Sequence, residues 1–179
     1  MKDQYKVQAL TREKIRLIAG IIRRMLGLEN LLYFPVVEVL EGLHILDKDA
    51  HFEVVRAGEL LDPDAHAETD IVNKCIKIRE DVYDAACAGS GRDRMTIAHE
   101  LGHFVLMILC GVKLYRIFDG ECVRAYNDPE WQAKCFAGEL MIAKHLVMGM
   151  SVQQIVKKCG VSYDAAKLQL EKFRQEEAK

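Results

Sequence analysis

The chain has 179 residues, half of them hydrophobic, enough for one domain with its own core and no reliance on disulfides. Its 25 basic and 27 acidic side chains leave a net charge of -2, so it carries no field for indiscriminate nucleic-acid binding. The polar opening of residues 1–6 is no secretory signal and no apolar run has the length of a membrane span. Six cysteines without any C-x-x-C pair fit free thiols in a reducing cytoplasm, with Cys110 and Cys135 as small hydrophobes.

Residues 11–27 predict an amphipathic helix, capped by Thr11, with Ile15, Ile18, Ile22, Met25 and Leu26 on one side. Pro35 opens a second short helix that ends near Gly42. Residues 52–56 are β-branched enough for a strand. Residues 61–70, rich in Asp, Pro and His, read as loop, and residues 71–78 as a second strand with Val72, Ile76 and Ile78 on one face. Ala88-Gly89-Ser90-Gly91 reads as a flexible break before a helix capped by Asp93 and stopped by Gly111. Residues 112–118 alternate loosely, as a strand or a lid, and end in the Asp119-Gly120 turn. Asp128 then caps a helix with Pro129 at its first position, running through Trp131, Phe136, Leu140 and Met141 to about Val147. Ser151 and Gln154 form a capping box, and after Cys159-Gly160, Ser162 caps a last helix over residues 163–173. Helices, then strands, then helices predict an α+β fold in a single domain. Its parts are an N-terminal helical segment (1–50), a core (51–149) with a small antiparallel or mixed sheet, and a C-terminal helical hairpin (150–179).

The chemistry concentrates in the helix after Asp93. His99-Glu100-Leu101-Gly102-His103 places two imidazoles four residues apart, so both reach one ion from the same helix face. Glu100 projects about a quarter turn away, within reach of a water on that ion. This is the H-E-x-x-H pattern of zinc-dependent peptide hydrolysis. The flanking Met95, Ile97, Leu101, Phe104, Val105 and Leu106 bury the helix. On such a helix two imidazoles and a carboxylate would need three separate polar partners, whereas one metal and one water satisfy all three. Gly102, between the ligands, costs roughly 1 kcal/mol relative to alanine and suits a close approach of another backbone.

A catalytic zinc takes three protein ligands and keeps the fourth position for water. No histidine follows at the spacing H-E-x-x-H-x-x-G-x-x-H, which leaves Glu121, Glu130, Glu139 and His145 as candidates downstream. Glu130 and Glu139 are nine residues apart, on opposite sides of one helix, so only one of them can face the metal. Spacing goes no further than that.

Two segments carry a resemblance to the ImmA/IrrE family of metallo-endopeptidases: Arg94-Met95-Thr96-Ile97-Ala98-His99-Glu100-Leu101-Gly102-His103, and residues 130–141 from Glu130-Trp131 through Phe136-Ala137-Gly138-Glu139 to Met141. Residues 130–141 are similar to the family's E-x-x-A-N-x-F-A-x-E-L-L-M-P, and the resemblance spans roughly residues 70–170. It implies a zincin-like minimal metalloprotease core, one Zn²⁺ per chain held by His99, His103 and Glu130, and Glu100 as general base. It also implies a substrate class, a helix-turn-helix transcriptional repressor encoded beside the enzyme in a mobile element or stress operon. Two positions depart from the pattern. Lys134 replaces the asparagine, at ion-pairing distance along the helix from Glu130, and Ile142-Ala143 follow Met141 where the family has proline.

The expected chemistry is amide hydrolysis, with Tyr126, Tyr115 and His145 as candidate donors to the oxyanion, Lys134 beside the third ligand, and Arg94 at the helix entrance. The strand expected at residues 71–78, edging the cleft, would hold substrate by β-augmentation. Two alternatives stand beside it. One is a zinc-binding regulator that sequesters a partner without turnover, for which an intact Glu100 has no use. The other is a DNA-binding module in residues 155–170, which resemble a helix-turn-helix. Asp164, Lys167, Gln169 and Glu171 on its second helix are weak electrostatics for a phosphate backbone, which disfavours direct nucleic-acid binding.

Overall fold

The computed structural model describes residues 5–116 and 124–178. In chain order these are β1 (Tyr5–Val7), α1 (Arg12–Met25), α2 (Val36–Glu41), β2 (His51–Val55), β3 (Ala67–Asp70), β4 (Cys75–Arg79), α3 (Glu80–Cys87), α4 (Gly91–His103), β5 (Leu114–Arg116), α5 (Pro129–Met141), α6 (Lys144–Val147), α7 (Val152–Cys159) and α8 (Tyr163–Glu177). The architecture is α+β. A mixed sheet runs β2-β4-β3, with β2 parallel and β3 antiparallel to the central β4, and β1 pairs antiparallel with β5. None of the described helices is long and apolar enough to cross a membrane.

Four of the helices, α1, α5, α7 and α8, start where a side-chain cap places them. Thr11 Oγ1 accepts from Lys14 N, Asp128 accepts from Glu130 N, Ser151 and Gln154 close a capping box, and Ser162 accepts from Ala165 N. Along α1 the spacing Ile15, Ala19, Ile22 buries one stripe, but Met25, expected on that side, is 67% exposed. Arg23 takes the buried position instead. Its guanidinium donates to Leu140 O at 2.6 Å and to Leu31 O, and lies over the Phe34 ring.

Four local expectations are corrected. The strand expected at residues 71–78 begins only at Cys75, as the central strand β4, and residues 71–74 form the turn that joins it to β3, which ends at Asp70. Asp70 accepts from Val72 N and Asn73 N, an Asx turn that outweighs the β-branched residues, and Val72 is left 90% exposed. The stretch read as loop therefore supplies β3. Asp93 does not cap α4; it sits in the first turn and accepts from the Ser90 hydroxyl. Gly91 is no flexible break, because a Cβ there would collide with the Val161 carbonyl, so the α7–α8 turn closes on the start of α4. The helix expected to reach Val147 stops at Met141, where the Leu140 carbonyl turns to Arg23, and resumes as α6.

The core runs from α1 and α2 through the inner sheet face (Ile76, Ile78) to α4, α5 and the C-terminal pair, with Ile155, Val161, Leu170 and Phe173 buried. Gln169, counted among the side chains of a recognition helix, is buried and accepts from Arg12. Cys110 is exposed, against expectation, whereas Cys135 is buried. Burial pushes the Cys135 thiol up to about 12 and that of Cys75 up to about 11.

Glu139, on the far side of α5 from Glu130, has a fully buried carboxylate. Arg12 reaches it at 2.9 Å, and Arg16 at 2.7 and 3.1 Å while also bonding Glu176 at 2.8 Å. Desolvation works against the Arg16 charge, yet these carboxylates raise its pKa overall. Removing one partner of such a group leaves charge uncompensated. Glu139→Gln is expected to lower stability by about 3 kcal/mol, read as an earlier urea midpoint with the same slope.

Candidate metal centre

His99 and His103 lie one turn apart on α4 with side chains 19% and 12% exposed, and their rings meet edge to face at 4.7 Å between centroids. Their Nε2 atoms are 3.1 Å apart. Glu130, in the first turn of α5, completes the group: Oε2 is 3.2 Å from His99 Nε2 and Oε1 is 3.2 Å from His103 Nε2. Those hydrogen bonds, His103 first and then His99, hold the Glu130 carboxyl far below the usual carboxylate range.

Two imidazole nitrogens and a carboxylate oxygen at these separations suit one small cation. Bonds of about 2.0–2.2 Å in a tetrahedral arrangement put neighbouring ligand atoms roughly 3.3 Å apart. The two nitrogens are already at that spacing, and each has a Glu130 oxygen at it, Oε2 for His99 and Oε1 for His103. The donor types, nitrogen and oxygen, are those of a catalytic zinc site. Directly beside them Glu100 is 6% exposed, and its Oε2 accepts from Thr69 Oγ1 at 2.7 Å.

Gly102 explains how Glu130 gets there. A Cβ on Gly102 would lie 2.9 Å from Ala133 O and 3.0 Å from Ala133 Cα, so the α5 main chain crosses α4 between the two histidines. Glu130, one turn before Ala133, is thereby delivered to the imidazoles. After His103 the helix widens into a π-helical segment, Phe104–Leu109, that buries Phe104, Val105 and Leu106 in succession. Segments of this kind recur beside functional sites.

The group opens onto a cleft of about 940 Å³. His99, Glu100, His103 and Glu130 form one wall, edge strand β3 with Ala67, Glu68 and Thr69 the other, and Tyr5, Met107 and Leu114 also border it. Sequence reasoning misses Thr69, which falls in the stretch read as loop; an Ala-Glu-Thr-Asp run has too little apolar alternation to announce a strand.

The remaining candidates lie elsewhere. His145 is on α6, with Nε2 3.3 Å from Glu29 O, beyond the far end of α5. Arg94 is buried, donating to Gly160 O and Phe34 O and stacked 3.8 Å from the Tyr33 ring centroid, so it secures the helix entrance. Tyr126 is half-exposed outside the cleft walls, its carbonyl taken by Leu10 N and Gln132 Nε2. Tyr115 is half-exposed on β5 and also absent from the cleft wall. Lys134 is exposed and does not pair with Glu130. It lines a groove of about 460 Å³ between α4, α5 and α8, with Arg92, Trp131, Leu168 and Lys172, on the other side of His99. Glu121, Phe118 and the Asp119-Gly120 turn lie outside the described residues; of the stretch expected as a strand or a lid, residues 112–118, Leu114–Arg116 form strand β5.

Compared with models of known protein families and with curated proteins, the sequence finds no match.

Gly102→Ala is expected to destabilise by about 1–3 kcal/mol, despite a helix-propensity gain of about 1 kcal/mol, because the obstacle is main chain. It should also weaken metal binding. Gly20→Ala, whose Cβ meets nothing within 4 Å, is the matched control and should gain stability in thermal unfolding.

Proposed function

We propose that this chain is a zinc-dependent endopeptidase with a zincin-like core, related to the ImmA/IrrE metallo-endopeptidases, whose substrate is a helix-turn-helix transcriptional repressor. The observation that carries the reading is the meeting of His99, His103 and Glu130 at 3.1–3.2 Å with a buried carboxylate, Glu100, next to them in an open cleft. A purely structural metal site has no use for that fourth group.

Zn²⁺ held by His99, His103 and Glu130 would supply Lewis acidity, lowering the pKa of a water to roughly 7 and polarising the scissile carbonyl. Glu100 takes a proton from the water as its oxygen bonds to the carbonyl carbon, and delivers it to the amine nitrogen as the C–N bond breaks. The Thr69 hydroxyl, donating to Oε2, fixes the orientation of the Glu100 carboxylate. Strand β3 is an edge of its sheet, and its free side offers main-chain donors and acceptors to an extended peptide beside the metal group.

Metal analysis of purified variants tests the ligand set: Glu130→Ala should lose about one metal equivalent per chain relative to wild type, and Glu139→Ala none. Glu100→Gln should keep its metal and fail to cleave a co-expressed repressor. Equal repressor loss with that variant would overturn the peptidase reading. Thr69→Val should keep the metal and lower turnover about tenfold, the size expected for one hydrogen bond to a charged group.

A further inference from the structure

The outer face of the β2-β4-β3 sheet carries a second set of metal-ligating atoms, unconnected with the cleft. A His51 nitrogen, a Glu53 carboxylate oxygen and Cys75 Sγ lie within 4.8 Å of one another. The strand register produces this. His51 on β2 pairs directly with Cys75 on the parallel β4, and Glu53, two residues on, shares their face, whereas Ile76 points into the core. Cys75 is 2% exposed, although it stands on the face away from the core. His51 and Glu53 are half-exposed above it, with His51 Nε2 3.8 Å from Glu53 Oε1. The sulfur forms the floor of a shallow cup, with imidazole and carboxylate as its rim.

The nearby cations are engaged elsewhere. Lys77, across from Glu53, pairs with Glu68, and Lys74 pairs with Asp47 and Asp49. Glu53 Oε1 faces His51 Nε2 instead. A surface that leaves a carboxylate and an imidazole with each other, over a buried thiol, offers one nitrogen, one oxygen and one sulfur to a single ion. Sulfur disfavours Mg²⁺ and Ca²⁺, and the mixed set suits Zn²⁺ or another borderline-soft divalent cation.

We propose that His51, Glu53 and Cys75 bind a second zinc-class ion, which clips edge strand β2 to β4. Water fills the remaining position on the open side, and the Cys75 proton is released on binding. The site is structural, since none of the three residues borders the cleft. It braces the same sheet that holds Thr69 against Glu100.

Cobalt substitution separates the two centres, because only this one has a sulfur ligand. Glu130→Ala, which disables the His99 group, should bind about one Co²⁺ per chain and show a sulfur-to-cobalt charge-transfer band in the near ultraviolet. Adding Cys75→Ser, or separately His51→Gln, to that variant should abolish the band. The histidine change leaves the thiol in place, so it decides the matter even where the cysteine change fails to fold. No band in Glu130→Ala with Co²⁺ in excess would overturn the proposal. So would a band that survives His51→Gln, which would belong to another thiol such as the exposed Cys87 or Cys110. These readouts do not depend on cleavage of any substrate, so they stand or fall apart from the peptidase reading.

Discussion

The close crossing of α4 and α5 at Gly102 and Ala133 is the constraint on which the site depends. Side chains of ordinary size between the helices would hold α5 away and leave Glu130 short of the imidazoles. With hydrogen in place of a methyl group, main chain meets main chain, and a carboxylate one turn earlier arrives at 3.2 Å from both nitrogens. The rotation of α5 is fixed from the opposite side. Glu139 turns away from the histidines and is clamped by Arg12 and Arg16, so one helix presents a carboxylate to each neighbour in a different role. The clamp also ties α1 and α8, through Arg16 and Glu176, to the helix that carries Glu130.

Two further arginines bind the outlying segments to the core through main-chain carbonyls. Arg94 links α4 to the α7–α8 turn and to Phe34, and Arg23 links α1 to the end of α5 and to Leu31. Burial lowers the pKa of both, but a guanidinium starts so high that it remains charged. Carbonyls at helix ends and in loops are what they bond, groups that helix geometry leaves without partners. The N-terminal segment and the C-terminal hairpin therefore belong to the same packed unit as the site. The hairpin buries Gln169, on the helix that a DNA-binding reading would need free.

The legible parts of the sequence are those with short-range causes. Thr11, Asp128, Ser151 and Ser162 cap helices because each acts on an amide two or three residues away. The H-E-x-x-H pair is legible for the same reason, since four residues on a helix fix its geometry. Strand β3 is not: its residues are half-buried and polar, and its pairing with β4 is made across a turn set by the Asp70 side chain. Thr69 is hidden with it, although it is the residue that orients Glu100. Lys134 misleads because helix spacing allows an ion pair with Glu130, whereas the packing of α5 against α4 aims that carboxylate at the two histidines.

By itself, then, the sequence determined the paired histidines, the carboxylate after the first and the glycine between them, because one helical turn relates all four. It also showed that Glu130 and Glu139 could not both face the histidines, since residues nine apart on a helix cannot share a face. The family resemblance pointed to Glu130, but how that carboxylate reaches the histidines, and what holds Glu100 in place, were decided by tertiary structure. Both depend on contacts between segments distant in the chain: the α4–α5 crossing, the arginine clamp on Glu139, and a strand whose hydroxyl reaches Glu100 from 31 residues away. No local periodicity encodes contacts of that kind.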